Sequence, residues 1–154
     1  MRKIVVVSDM QVPFHDGKAI KNLAKFIRSF KPDEVILIGD EIDFNTISRW
    51  SRGTAEEYMT TIGDDRDQCV DILWDLTGSV PVANMVRSNH TDRLFNSLAM
   101  RLPALRELQE LQFERFMRLD EMGIKFHKKP YEIAGTNWIA IHGDEQGTLP
   151  TAGA

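Results

Sequence analysis

Short apolar runs rich in β-branched residues alternate along this chain with longer stretches in which apolar residues recur at helical spacing. Runs of the first kind are typical of buried strands. The predicted strands lie at residues 4–7, 35–38, 82–86, 124–134 and 137–141. The last two are separated by Gly135-Thr136, a pair that favours a hairpin turn.

The stretches with helical spacing have recognisable ends. Asp16 is placed to cap the first predicted helix, which stops before Pro32, and Gly78 ends the second. Residues 93–100 and 103–122 are predicted to form two more helices. Because strands and helices alternate before the hairpin, the sequence predicts an α/β fold with a partly mixed sheet.

Four of the predicted strands end in polar residues that can bind metal or transfer a proton. Asp9 follows the first strand, Asp40 the second, Asn89-His90 the third and His142 the last. In open α/β sheets, ligands bind at the carboxyl ends of the strands. Carboxylate, amide and imidazole groups together suit a hard or borderline divalent cation. The sequence therefore predicts a metal site at this edge of the sheet.

The same positions form a series of short motifs. In chain order these are Asp9-x-Gln11, Gly39-Asp40-x-x-Asp43, Ser88-Asn89-His90 and His142-Gly143. Their order and strand-end positions resemble those of the calcineurin-like metallophosphoesterases, and the resemblance covers nearly the whole chain. It implies a β-sandwich flanked by helices. It also implies hydrolysis of phosphate mono- or diesters by a water activated between two divalent metal ions.

The resemblance implies a role for each matching residue. Asp40 would bridge the two metals, Asp9 would bind one of them, and Asn89 and His142 would bind the other. Mn is the expected metal, with Mg, Fe, Zn and Ni as alternatives. The implied substrates are a phosphorylated small molecule, a nucleotide or a phosphoprotein, and nucleic acid enters only as a substrate.

A second group of residues is predicted to act on the substrate. By resemblance, His90 is the general acid that protonates the leaving oxygen. Asp43 would accept a hydrogen bond from its ring and raise its pKa, with Asp92 as an alternative partner that spacing does not exclude. Arg93 is either a contact for phosphate oxygens or a solvated helical arginine.

The sequence departs from the family pattern in three ways. Gln11 replaces a histidine, so it is a poor metal ligand, a residue that holds a bound water or substrate, or an ordinary loop residue. Ser88 replaces a glycine, and no Gly-His-x-His motif follows His142 before the chain stops at Ala154. We therefore expect a C-terminally incomplete domain that binds metal weakly, hydrolyses poorly and self-associates. The alternative is a non-catalytic module that binds metal, phosphate or protein.

Composition narrows the class of protein. A length of 154 residues with 42% hydrophobic content predicts one domain over residues 1–154. A net charge of −4 and a pI near 5.6 give no overall electrostatic signal for nucleic acid or a membrane surface. The single Cys69 excludes an internal disulfide and, without a signal-like segment, predicts a cytoplasmic protein.

One basic and aromatic cluster, Arg49-Trp50-Ser51-Arg52, is predicted to lie near the site. It is either a lip in which Trp50 stacks on a base and arginine pairs with phosphate, or an ordinary loop that one tryptophan anchors. The sequence leaves both interpretations open.

Overall fold

The main sheet consists of four parallel strands. In the computed structural model, which describes residues 2–144, they are β1 (Ile4–Val7), β2 (Glu34–Leu37), β3 (Ala83–Val86) and β4 (Ile124–His127). They lie side by side in chain order, with Val35 opposite both Val5 and Ala83. Because all four strands run in one direction, the loops at their carboxyl ends meet at the same edge. The prediction of an α/β fold is confirmed at the level of class.

Helices cover one face of this sheet. Ile27 of α1 (Gly17–Phe30) and Leu73 of α2 (Ile62–Thr77) join Leu37 of β2 in one buried hydrophobic cluster. Burying apolar side chains between helix and sheet is the main favourable contribution to such a layered fold. The cluster therefore fixes the sheet on which the loops are mounted.

The predicted helix ends are largely confirmed. Asp16 caps α1, since its Oδ1 accepts hydrogen bonds from the backbone N–H groups of Lys18 and Ala19. Gly78 follows the last residue of α2. A third helix, α3 (Thr91–Arg101), matches the predicted helix at residues 93–100.

The other face of the main sheet is partly covered by a small antiparallel sheet. Its strands are β5 (Tyr131–Glu132) and β6 (Ile139–Ala140). Ala140 packs with Ile36 and Val86 in a second, smaller buried cluster. The helices and the small sheet thus lie on opposite sides of the main sheet.

A buried polar network also joins the two sheets. The fully buried Glu34 accepts hydrogen bonds from Asn84 at 2.6 Å and from the Tyr131 hydroxyl at 2.8 Å, and it pairs with Arg2. The Nε2–H of His127 donates to Asn84 at 2.7 Å. A buried carboxylate is tolerated only with such partners, so the network fixes how Tyr131 sits against the main sheet.

The predicted strand at residues 124–134 is wrong in extent, because the structure divides it into β4 and β5. Pro130, which has no N–H to donate, lies between them in the sequence. β4 joins the main sheet in parallel, whereas β5 pairs with β6 in the predicted hairpin.

The predicted helix at residues 103–122 is also wrong. The chain forms two 3₁₀ turns, Pro103–Leu105 and Gln109–Leu111, and then the short helix α4 (Phe113–Phe116). Leu105 and Leu108 are exposed, so no core contact stabilises a long helix there. Phe113 and Phe116 instead pack against the buried ring of Phe44, and this contact selects a short turn of helix.

An apolar groove of about 350 Å³ remains between the two sheets. Val6, Trp138, Ile139 and Ile141 line it and are exposed.

Among the helices of residues 2–144, none has the length and apolar content needed to cross a membrane.

Cys69 provides a test of the helical layer. It is fully buried on α2, and burial raises the pKa of its thiol well above the ordinary value. We expect iodoacetamide to leave the native protein unmodified and to alkylate it after unfolding in urea, because only the exposed thiolate reacts. The chain has one cysteine, so mass spectrometry gives an unambiguous result. Rapid alkylation of the native protein would contradict the described packing of α2.

Candidate metal centre

The candidate site is built on the two loops that follow β1 and β2. The backbone N–H of Asp9 donates to the Gly39 carbonyl at 3.1 Å, and that of Gln11 donates to the Asp40 carbonyl at 2.9 Å. These bonds continue the pairing of the two strands beyond their ends. They hold Asp9 and Asp40 next to each other at the carboxyl edge of the sheet.

Both loops contain residues in the left-handed backbone region. The φ angle is +54° at Asp9, +53° at Gln11 and +58° at Asp40. This region is unfavourable for residues with a side chain, although Asp tolerates it better than most. Strained residues persist where surrounding contacts hold them, and they cluster at binding and catalytic sites. The strain here therefore marks the same loops that the motifs indicate.

The structure brings together Asp9, Asp40 and His142. One ligand atom from each lies within 4.8 Å of the other two. His142 Nε2 is 3.3 Å from Asp40 Oδ1, and His142 Nδ1 is 2.8 Å from the carbonyl oxygen of Ile38. A carbonyl oxygen only accepts, so Nδ1 carries the proton and Nε2 of the neutral ring presents a lone pair to Asp40.

The donor set fits a divalent cation. Oδ1 of Asp40 is buried and has no hydrogen-bond partner in the described part of the chain. It therefore faces the Nε2 lone pair of His142 with no proton between two acceptors, an arrangement that a cation or a protonated ring would relieve. Asp9 is exposed at the rim and adds a second carboxylate. Imidazole with two carboxylates suits Mn, Fe or Zn as well as Mg.

Gln11 contacts the centre through Asp40. Its Nε2 donates to Asp40 Oδ2 at 3.0 Å, and its Oε1 is buried without a partner in residues 2–144. The amide thus orients the carboxylate, and its oxygen is the atom available to a ligand. Binding of metal, water or substrate by Gln11 stays a prediction.

Ser88, a departure from the family pattern in the sequence, has a positioning role in the structure. Its fully buried hydroxyl accepts a hydrogen bond from the Asp40 N–H at 3.1 Å and another from the Thr91 N–H at 3.3 Å. It therefore connects the loop after β2 to the start of α3. A lone serine after a strand gave no sequence signal for this contact.

Glu41 is a buried acid that sequence reasoning missed. Its Oε1 accepts a hydrogen bond from the Gly39 N–H at 3.0 Å, and burial raises the pKa of its carboxyl to about 7. Neighbouring Asp40 raises that pKa further, whereas hydrogen bonds from the backbone N–H groups of Glu41 and Gly39 lower it. In the sequence it has the appearance of an ordinary loop acid, because only tertiary contacts bury it.

His90 lies between Asp40, Asp43 and Arg93. Its Nε2 is 2.6 Å from Arg93 Nη2, which can only donate, so the ring is neutral and its proton is on Nδ1. Nδ1 lies 3.8 Å from Asp43 Oδ2, which is too long for a hydrogen bond, and Nε2 lies 3.5 Å from Asp40 Oδ2.

The pKa of His90 is lowered overall, although Asp43 acts to raise it as predicted. Burial lowers that pKa below its ordinary value, Arg93 lowers it further, and the opposing effects of Asp40 and Asp43 do not reverse the change. Asp92 is not the ring's partner, because it is hydrogen bonded to Arg87 Nε at 2.9 Å. Asp43 is therefore the carboxylate that faces Nδ1.

Arg93 and Asn89 lie at one side of the centre. Arg93 Nη1 donates to the Asp43 carbonyl at 2.7 Å and is 3.3 Å from its carboxylate, so this arginine is not simply solvated. Asn89 is exposed and shares with Arg93 the lining of an adjacent groove. The role of Asn89 as a metal ligand stays a prediction.

Comparison with known proteins identifies relatives whose names state no activity. The chain is 36% identical over 154 residues to the Gene 54 protein of Mycobacterium phage L5, and 35% identical to the Gene 54 protein of Mycobacterium phage D29. Each alignment covers 97% of this chain, which spans about 60% of the length of the curated relatives it matches. No protein-family model and no solved structure matches the chain.

Gly39 provides a structural test of the centre. Its φ is +105°, and an added Cβ would lie 2.5 Å from Ser88 Cβ and 2.7 Å from His142 Nδ1. We expect Gly39→Ala to lower the free energy of unfolding in urea by about 2–5 kcal/mol, because backbone strain and overpacking add.

Two glycines separate the causes. Gly17 has open space and no positive φ, so Gly17→Ala should change the free energy of unfolding by less than about 1 kcal/mol. Gly53 has φ of +73° with open space, so Gly53→Ala isolates the strain, about 1–2 kcal/mol. Equal losses in the Gly39 and Gly53 variants would mean that the close contacts at Gly39 are absent.

Proposed function

We propose that this chain hydrolyses phosphate esters with the help of bound divalent cations. The observation that carries the proposal is the approach of two acceptor atoms, Asp40 Oδ1 and His142 Nε2, beside the carboxylate of Asp9. Acceptors that face one another at the carboxyl edge of a parallel sheet, on strained loops, are arranged for a cation.

The fold supports the resemblance to the metallophosphoesterases. β5 and β6 lie on the face of the main sheet that α1 and α2 leave open. This is the start of the two-sheet sandwich that the resemblance implies. We propose that the described layers belong to such a β-sandwich, flanked by helices.

Asp9, Asp40 and His142 would hold the cation, and a second one would be served by Gln11, which is hydrogen bonded to Asp40, and by Asn89, which the resemblance implies. Divalent cations supply a nucleophile at neutral pH and offset charge on phosphoryl oxygens. Mn is the proposed metal, since the set mixes nitrogen with oxygen ligands. Three further points stay proposals. They are that a whole protein of the relatives' length has this activity, that it lies in the cytoplasm, and that it self-associates.

His90 and Arg93 would act together on the substrate. Nε2 of His90 accepts a hydrogen bond from Arg93 and carries no proton, so it would protonate a leaving oxygen only after the guanidinium moves away and Nε2 takes up a proton from solvent. A bound phosphate offers the guanidinium charged oxygens in exchange. Substrate binding would therefore free His90 and place Arg93 on the phosphate in one step, while Asp43 stays beside Nδ1.

Asp40→Asn tests the proposal most directly, because it removes one charge and keeps the shape. We expect calorimetry to show Mn²⁺ affinity reduced at least about 10-fold, the smallest loss expected when even a supporting partner is removed. Hydrolysis of an aryl phosphate and an aryl phosphodiester should fall by about 100-fold or more.

Asp75→Asn is the matched control, because this exposed carboxylate of α2 makes one long ion pair with Arg28, 3.7 Å apart. It should bind Mn²⁺ and hydrolyse like the parent chain. Hydrolysis that survives both a chelator and Asp40→Asn would overturn the proposal. Metal binding without hydrolysis of any ester would support the non-catalytic alternative.

The acid role of His90 makes a separate prediction. A general acid matters most when the leaving group is a poor one, so His90→Ala should slow alkyl phosphate hydrolysis by about 100-fold and aryl phosphate hydrolysis much less. Steady-state rates on the two esters, at saturating Mn²⁺, measure the difference. An equal loss on both esters would argue against proton donation by His90.

A further inference from the structure

A groove of about 440 Å³ adjoins the candidate centre. It lies between the loop around Trp50 and helix α3. The residues that matter for its chemistry are Arg49, Trp50, Asn89, Arg93, Asn96 and Arg101. This set is called the arginine groove below. Because Asn89 and Arg93 also border the centre, a substrate whose phosphate lies at the centre would extend into this groove.

The charge of the arginine groove is opposite to that of the chain. Its lining contains three arginines and no carboxylate among the described residues, whereas the chain has a net charge of −4. Arg49 and Arg101 are exposed and form no ion pair with a carboxylate within residues 2–144. Unpaired guanidinium groups beside a phosphate site favour an occupant with further negative charge.

Trp50 gives the groove an aromatic surface. Its side chain is 74% exposed, and the guanidinium of Arg49 lies 4.5 Å from its ring centroid. An anchoring tryptophan would be buried, so the interpretation of this segment as an ordinary loop anchored by Trp50 is wrong. A large exposed ring next to cations is a surface for stacking an aromatic group of the ligand.

The loop holds Trp50 in place without burying it. The backbone N–H of Trp50 donates to the Ser48 hydroxyl at 3.2 Å. The buried Ser51 hydroxyl donates to the backbone carbonyls of Ser48 and Asn45. Both serines are buried. Since the backbone is fixed while the ring is exposed, the ring is available for contact at little further entropic cost.

We propose that the arginine groove binds a nucleotide unit, and that the substrates of this chain are nucleotide phosphoesters. Trp50 stacks on the base, Arg49 and Arg101 pair with phosphates beyond the one at the centre, and Asn96 faces the sugar or base edge. As an assignment of substrate class, the inference rests on the proposed phosphoesterase function. A phosphorylated serine side chain would leave the ring and most of the groove unfilled.

Binding without metal tests the groove separately from hydrolysis. The probe is a fluorescently labelled oligothymidylate of a few residues, measured by anisotropy in a chelator. We expect Trp50→Ala to weaken binding by about 5- to 150-fold, the range that one stacked base contributes. Trp138→Ala is the matched control, because Trp138 is 75% exposed but lies in the apolar groove between the sheets. It should change affinity less than about twofold.

The arginines predict a specific salt dependence. If Arg49 and Arg101 each neutralise one phosphate of a single strand, the logarithm of the association constant should fall with the logarithm of the salt concentration, with a slope of about −1.4. Arg101→Ala should reduce the steepness of this slope by about 0.7. Arg52→Ala, in the same loop but outside the groove lining, should leave it unchanged.

The outcomes separate the two proposals. Hydrolysis of aryl phosphates with equal oligothymidylate affinity in the Trp50 and Trp138 variants would overturn the groove assignment and leave the phosphoesterase proposal standing. Binding that depends on Trp50 but hydrolysis of no ester would support the groove and contradict the phosphoesterase. Tighter binding of a phosphoserine peptide without aromatic residues would overturn the nucleotide assignment. Comparing the affinity for thymidine monophosphate with the affinity for the oligomer shows whether one nucleotide unit suffices for binding.

Discussion

The backbone at Gly39 packs so closely against Ser88 and His142 that no side chain fits there, and the rest of the candidate centre depends on this contact. The contact brings the loop after β2 against the loop after β3 and against the segment that follows β6. Asp40 comes next in the chain, and its N–H is held by the Ser88 hydroxyl. A residue from each of three loops is thereby fixed by one close approach of backbone.

The same packing explains why buried acids accumulate at the centre. Asp40 and Glu41 are both buried, and each keeps one carboxylate oxygen without a hydrogen-bond partner in the described residues. Burying two neighbouring carboxyls is unfavourable unless a proton or a cation compensates. For Glu41 a proton compensates below neutral pH, since burial raises the pKa of its carboxyl to about 7. Oδ1 of Asp40 instead faces Nε2 of His142, where either a cation or a proton on the ring supplies the compensation.

The sequence predicts the elements that carry their own local signal. The β-branched runs locate β1, β2 and β3, and Asp16 marks the start of α1 because capping is a local interaction. The strand-end positions of Asp9 and Asp40 follow from the parallel order of the strands, since such ends share an edge. His142 also follows a predicted strand, but β6 belongs to the other sheet, so packing between the sheets and not a shared edge brings it to the centre.

The parts that the sequence did not predict are set by contacts between distant residues. The segment at 103–122 has helical spacing, yet Leu105 and Leu108 stay exposed while Phe113 packs against Phe44. The polar network around Glu34 gives no periodic signal, because its members come from three strands of one sheet, one of the other and the segment before β1. Burial of Glu41 and the bonds of Ser88 are likewise properties of the assembled loops.

Under the proposed function, the division of charge around the centre is what would let an acidic chain recognise a phosphate ester. Asp9, Asp40 and Asp43 would repel a phosphate as long as no cation is bound, because the arginine beside them, Arg93, offsets only part of their charge. Under the proposed function, cation and phosphate binding at the centre would therefore be linked, each strengthening the other. The arginine groove lies to one side, where its guanidinium groups face no carboxylate in its lining. As proposed, it would hold the rest of a ligand before a cation binds, because the net charge of −4 does not describe the charge of this surface.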